Sequence, residues 1–402
     1  MEKAKLKLFL QNKKVTVKNI GIVINFDPKS WMGGLQYFKN VYHICKNSNY
    51  VLNIICNKKN YNQLKKEFID AKFIFTDVFD LNRNKQRIFS KLKILLFGKD
   101  NFLENFLIKK NIHYFMYSGY LGRNSKIINI PIIWDFQEII NPANFSFNQR
   151  VLRNFNHFMC LTNSSKVILG TKHDQDIFSG GQYKNKKKSY LMNMSDPLTD
   201  FKIISKKKIL DKYKIKNKQY FILPNQYRKH KNHILALKAL ESLESSWKKK
   251  VLIISTGACH DWRYQDHFKY IKSYILKKNL KKNYQILGLI DRNDLFNLIY
   301  HSIGLIQPSK SEGESGSVEI AKSFNKITLL SAIDVHKEQR PKRSYFYDID
   351  DHKKLSNYLI GFHQKFNLIK EKKLINKSLD DNKKILNRLK KVFFKLLKMF
   401  KV

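Results

Sequence analysis

Short runs rich in Ile, Val, Phe and Tyr alternate along the chain with longer stretches whose apolar positions recur every three or four residues. In the first half the short runs are Asn19 to Phe26, Tyr50 to Cys56, Lys72 to Phe75, Ile112 to Met116, Ile130 to Trp134 and His157 to Thr162. This is the rhythm of a parallel sheet joined by crossover helices. It restarts with Tyr220 to Leu223, Lys250 to Thr256, Tyr284 to Leu287, Ile303 to Gln307 and Lys326 to Ser331. Between the two series, Met194 to Lys218 carries Pro197 and a lysine-dense segment that suits a linker, with the hinge near residue 200. The pattern predicts two doubly wound α/β domains, residues 1–198 and 199–380, facing a central cleft. A length of 402 residues suits two such cores better than one.

The last segment, 381–402, sets Ile385, Leu389, Val392, Phe393, Leu396, Leu397 and Phe400 at helical spacing, with Lys383, Lys384, Arg388, Lys391, Lys395 and Lys398 between them. A basic amphipathic helix results, with two outlets for its apolar face. It lies on an anionic membrane surface through Lys383–Val402, or it docks on the protein's own core, or it does both, its front packed and its end at the lipid.

Charge widens the question. Lys and Arg number 77 against 32 Asp and Glu, a formal +45 that calls for nucleic acid, anionic lipid or phosphorylated substrates as partner, unless the lysines are simply a solvated face. No RNA-binding signature, zinc finger or helix-turn-helix accompanies that charge, and the aromatics fall in core-like runs, so no nucleic acid is expected. No stretch approaches the 18 apolar residues of a spanning helix, and Met1 to Lys14 lacks the apolar centre of a signal peptide. The expectation is a soluble protein that stays in the cytoplasm, at the inner face of the bacterial membrane if the terminal helix docks there. Cys45, Cys56, Cys160 and Cys259 are scattered and read as reduced, packed thiols.

Candidate chemistry concentrates in the second half. After the run ending at Gln307, the turn Pro308 to Ser315 leads into a helix beginning near Ser317. Free amides and the positive dipole end of such a helix make an anion site, and ligands of open α/β sheets bind at these strand ends. Glu312 and Glu319 bracket it. Carboxylates there suit sugar hydroxyls, Glu312 for a transferred sugar and Glu319 for a ribose, although Glu319 could equally complement the helix dipole. After Leu223, a loop with Arg228, Lys229, His230 and Lys231 brings cations that would face the same phosphates from the opposite wall, or would be solvated.

Two segments carry a family likeness. Glu312-Gly313-x-Ser315-x-x-Val318-Glu319-x-Ala321-Lys322, with Ser331-x-Ile333-x-Val335-His336-x-Glu338-Gln339, resembles the paired-glutamate motif of glycosyltransferase family 4, the retaining, metal-independent enzymes of GT-B fold. Asn225-Gln226 with His230-Lys231-Asn232-His233 is similar to the phosphate loop of a bacterial subgroup, and Thr256-Gly257 with Asp261 and Arg263 to its next strand end. Gly33-Gly34 resembles the family's glycine turn, and Trp134-Asp135-Phe136-Gln137 is similar too. Gln226 stands where the family usually has arginine, and Glu138 where relatives commonly have histidine.

The resemblance implies a retaining transfer of sugar from a nucleotide diphosphate sugar, itself a co-substrate, with no metal and no other cofactor. Catalytic roles fall to Glu312, Lys231 and Arg228. Donor binding falls to Gly33, Gly34, Gln226, Gly257, Gly288, Ser315, Gly316, Ser317 and Glu319, and the acceptor side to Asp135, Gln137 and Glu138. The expected acceptor is a lipid-linked or lipopolysaccharide glycan. A non-catalytic GT-B scaffold holding a glycan or partner enzyme is the alternative, with a basic nucleic-acid binder behind it. Asp348-Ile349-Asp350 looks like a metal triplet but precedes a helix starting near His352, where capping explains it.

Overall fold

The computed structural model describes residues 17–28, 31–79, 92–180, 188–192, 196, 198, 199, 201–216, 219–261 and 263–400, without the side chains of 382 and 383. Met1 to Lys14, Pro197, parts of the Met194 to Lys218 linker, the Lys383 side chain and Val402 lie outside the described residues.

Two parallel sheets carry the chain. The first comprises β1 (Lys18–Val23), β2 (Tyr50–Cys56), β3 (Lys72–Phe75), β4 (Tyr114–Tyr117), β5 (Ile128–Ile133), β6 (Val167–Leu169) and β7 (Ser189–Leu191), in the order β3-β2-β1-β4-β5-β6-β7. The second comprises β8 (Phe221–Pro224), β9 (Ile253–Thr256), β10 (Tyr284–Gly288), β11 (Gly304–Gln307), β12 (Ile327–Ser331) and β13 (Ser344–Tyr347), in the order β10-β9-β8-β11-β12-β13. Both orders reverse direction beside the first strand of their sheet, so a crevice opens at the strands' carboxyl ends. Each sheet buries both faces. In β1, Ile20 and Ile22 point with Ile24 into the cluster under helix Met32–Cys45, while Val23 joins Ile55, Phe115 and Leu107 on the other side.

One expected strand is wrong. His157 to Thr162 is the end of helix Phe147–Thr162, and the sheet instead gains β6 and β7. The run is apolar enough for a strand, but Ser146 and Gln149 form a reciprocal capping box that starts a helix upstream, and the helix propagates through it. His157, Met159, Cys160 and Leu161 of that run are buried, the last three packing with Ile94 of helix 92–97. The second sheet likewise gains β13 at its edge.

The terminal helix is longer than expected, Leu368–Met399, about 48 Å at the usual rise. It starts on the second domain, where Glu371 receives Arg343 and Ile375 is buried, and Ser378 donates to the Ser323 carbonyl at 2.8 Å. It ends on the first, where Leu389, Phe393, Leu396, Leu397 and Phe400 are buried in the cluster of helix Met32–Cys45 and Phe394 stacks on Tyr50 at 5.2 Å. Of the two outlets for its apolar face, the structure takes the protein's own core. Lys384, Arg388, Lys391, Lys395 and Lys398 remain exposed on the outer face. Among the described residues no helix is long and apolar enough to cross a membrane. Cys45, Cys56 and Cys160 are buried free thiols and Cys259 is a partly buried one.

The domains touch across the crevice. Glu338 accepts the amides of Lys172 and His173 at 2.6 and 3.0 Å, the first turn of helix Lys172–Gly180. Tyr264 donates to Asn144 at 2.9 Å and Ser311 to Gln137 at 3.2 Å.

Candidate functional site

The strand-end crevice contains a cavity of about 390 Å³. Its floor is the turn after β11. Gln307, fully buried at the end of that strand, donates to Glu312 at 2.9 Å and exchanges hydrogen bonds with Asn225 at 3.0 Å, so two strand ends are locked through one side chain. Lys231 closes on Glu312, its Nζ lying 2.6 Å from each carboxylate oxygen. Burial, the largest single influence, pushes the Glu312 carboxyl upward, but Lys231, His230 and His336 together outweigh it and hold it at about 2. His230 is driven down to about 4, by burial first and by Lys231 second. Near neutral pH the centre is therefore an ion pair flanked by a neutral imidazole.

Helix Gly316–Ser323 points its amino end into the same cavity. No side chain caps it; Ser315 occupies the cap position with its hydroxyl buried and unpaired among the described residues. Glu319 accepts from Gln339 at 2.9 Å through one oxygen, while its other oxygen is buried without a hydrogen bond among the described residues. A buried carboxylate oxygen is normally satisfied, and this one belongs to a residue of the cavity lining. Gln339 also donates to the Ser315 carbonyl at 3.0 Å, tying the helix start to the second half of the motif.

Arg228 and Arg263 supply cations from the β8 and β9 loops. Burial and the neighbouring Arg263 lower the Arg228 pKa, opposed by Asp261, Glu312 and Asp135. Asp261 shapes both loops, accepting the amides of Lys229 at 3.0 Å and Arg263 at 3.1 Å. Gly257 is obligatory: at φ +119° a Cβ there would stand 2.5 Å from the Asn225 carbonyl oxygen.

Glu312, Lys231, Arg228, Gly33, Gly34, Gln226, Gly257, Ser315, Gly316, Ser317, Glu319, Asp135 and Gln137 all line this one cavity. Two expected site residues do not. Gly288 sits just outside, its carbonyl accepting the Gly257 amide at 2.7 Å, and the next residues, Leu289 and Ile290, face the cavity instead. Glu138 is buried below it, held by Arg153 at 2.7 Å and beside His157 at 3.3 Å. Lys231 has a partner that the sequence did not show, since its ammonium lies against both oxygens of Glu312 while lining the cavity. The triplet Asp348-Ile349-Asp350 does not supply the expected cap; the next residue, Asp351, does, accepting the Lys354 amide at 2.8 Å.

Sequence reasoning missed Arg292, which pairs with Asp196 on the cavity wall, and the apolar Leu289 and Ile290. The signal was available, because all three follow the carboxyl end of β10. A second cavity, of about 660 Å³, opens at the strand ends of the first sheet and is lined by Phe26, Trp31, Phe79, Tyr117, Tyr120 and Trp134. Trp134 also borders the first cavity, packs edge-on to Trp31 at 4.8 Å between centroids and donates to Ser118 at 2.6 Å.

Residues 205–379 match the sequence model of the group 1 glycosyl transferases. Solved structures match over nearly the whole chain. A glycosyltransferase from Rickettsia africae is 15% identical, covering 96% of this chain and 98% of that one, with a TM-score of 0.67. A sucrose-phosphate synthase from Thermosynechococcus elongatus is 12% identical over 95% and 98%, with a TM-score of 0.70. The Anabaena protein HepE in complex with UDP and glucose is 13% identical over 94% and 98%, with a TM-score of 0.65. The fold is GT-B. No curated protein sequence matches the chain. In this GT-B chain the 390 Å³ cavity lies between the domains, with the matched region supplying its ionised wall.

Proposed function

We propose that the cleft binds a nucleotide diphosphate sugar and transfers its sugar, with retained configuration and without a metal, to a lipid-linked or lipopolysaccharide glycan at the inner face of a bacterial cytoplasmic membrane. The observation that carries this reading is the convergence of Glu312, Lys231, Arg228, the unpaired oxygen of Glu319 and the free end of helix Gly316–Ser323 on one cavity. The match of residues 205–379 to group 1 glycosyl transferases supports it, as does UDP bound to the Anabaena protein of the same fold.

Each group has a task. As the bond from sugar to diphosphate breaks, negative charge grows on the leaving oxygen, and Arg228 with the helix amides stabilises it without reorganising. Lys231 joins them by sharing its ammonium between Glu312 and the phosphate. Glu312 accepts hydroxyls of the transferred sugar, and Glu319 accepts a ribose hydroxyl with its free oxygen. Leu289 and Ile290 offer the base an apolar wall.

A thermal-shift screen of UDP-, GDP- and TDP-sugars tests donor binding, because a ligand specific to the folded state stabilises it by mass action. One donor should raise Tm with chelator present; no shift from any of them sinks the reading. A donor that binds without turnover over any acceptor would make the protein a scaffold.

A further inference from the structure

The first domain turns one helix face toward the 390 Å³ cavity: Gly33, Gly34, Gln36, Tyr37 and Asn40 of helix Met32–Cys45 all line it. Gln36 donates its side-chain amide to Asn40 at 2.7 Å. Tyr37 has no such partner. It is 7% exposed, and its hydroxyl is buried without a hydrogen bond among the described residues. A buried hydroxyl is normally paired, because leaving it alone forfeits the bond it had in water.

The turn that carries Glu312 meets this face from the second domain. Gly313 is pressed so close that a Cβ there would stand 3.0 Å from the Trp134 carbonyl oxygen and 3.0 Å from the Asp135 Cβ. The next side chain, Glu314, lines the cavity and reaches the end of β6, where one carboxylate oxygen lies 3.4 Å from the place a Cβ on Gly170 would take. Tyr37 stands on the same side, its ring edge-on to Trp134 at 5.0 Å between centroids. Burial first, and the Glu314 carboxylate second, raise the pKa of the Tyr37 hydroxyl, so it keeps its proton and can donate as well as accept. Among the described residues Glu314 is the charged group that acts on it. The cations of the cavity come from other elements: Arg228, Lys231 and Arg263 from the loops after β8 and β9, and Arg292 from beyond β10, where it pairs with Asp196.

We propose that Tyr37 and Glu314 read the transferred sugar from opposite sides of the domain boundary, and that the sugar they select is uncharged and carries a hydroxyl where the two side chains meet. One hydroxyl satisfies both, since its oxygen accepts from Tyr37 while its own O–H donates to Glu314. A carboxylate in its place has no proton to give and brings like charge against Glu314. A deoxy carbon leaves the phenol unpaired, which a site built around a hydroxyl penalises. The inference rests on the donor reading above and adds the class of sugar to it.

The test titrates the full chain in a calorimeter with UDP, GDP and TDP, each alone, as its glucose or mannose conjugate and as the matching uronate. Only the difference between a diphosphate and its sugar conjugate reports on Tyr37. Y37F should leave the Kd of the bare diphosphate within about twofold and weaken the hexose conjugate about 10-fold, the loss of one hydrogen bond made by the sugar. Without ligand, Y37F should melt no lower than the parent, because the hydroxyl it removes is unpaired. In the parent chain the uronate should bind about 10-fold more weakly than the hexose, and E314Q should narrow that gap to about twofold. If Y37F weakens diphosphate and sugar conjugate alike, or neither, the inference is overturned and the donor reading stands. A uronate that binds the parent as tightly as the hexose has the same effect. If none of these compounds binds, the donor reading falls and this inference with it.

Discussion

Two amphipathic helices of this protein meet opposite fates. In the terminal helix Leu368–Met399, Phe393, Leu396 and Leu397 are fully buried and the cations face outward. In helix Phe147–Thr162 only the last turns enter the core, and Phe147, Val151 and Phe158 are left on the surface. Periodicity identifies a face that must be covered, but it does not say by what. The helix with the stronger membrane-like pattern is a strap across both domains, and the one whose apolar run resembled a strand keeps Phe147, Val151 and Phe158 on the surface.

The sharpest way to break this contrast is at Phe393. F393A should destabilise the protein by about 3–5 kcal/mol in urea unfolding, the usual cost of emptying an aromatic site in a packed core; a loss below about 1 kcal/mol would put the helix off the core. Nearly as large, K231A should cost about 3–5 kcal/mol by leaving Glu312 charged with only the Gln307 amide as partner, and lower turnover about 100-fold. Adding Glu312→Gln should restore stability but not turnover, which separates the polar core of the cleft from the apolar strap. Next comes E338A, which removes the acceptor for two amides and should cost about 0.5–2 kcal/mol. If it costs more than F393A, the clasp rather than the strap joins the domains. Smallest of all, F158S should stay within about 0.5 kcal/mol of the parent, as an exposed position does.

Acid titration gives a further check on the cleft. The Glu312 carboxyl lies at about 2, below its ordinary 4.5, so the stability it contributes is present above about pH 4.5 and is lost as pH falls toward 2. E312Q should flatten that limb of the unfolding curve. Asp174 runs the other way, since burial raises it to about 7 from 3.8. Its contribution is present below about pH 4 and is lost as pH rises through 7, so D174N should improve stability most above neutrality.

The two cavities differ in how far the sequence reveals them. The ionised wall of the 390 Å³ cavity was legible because its residues come in contiguous strand-end segments: Glu312 to Glu319 on one, Gln226 to Lys231 on another. The turn geometry that aims them is written in the same few positions, Gly257 and Ser315 among them. The aromatic cavity was not legible. Phe26, Trp31, Phe79, Tyr117 and Trp134 come from different strand ends, and each alone reads as ordinary core. Glu138 misled for a related reason, since its partner Arg153 sits a helix away and draws it out of the cleft. Gly288 misled by one residue, because strand ends can be read from sequence only to within a position or two.

The Glu338 clasp has a consequence for how the protein tolerates change. Its donors are the main-chain amides of Lys172 and His173, and any residue except proline at those positions supplies the same N–H. Drift on the first domain therefore leaves the clasp intact, while its whole vulnerability is concentrated in a single carboxylate on the second.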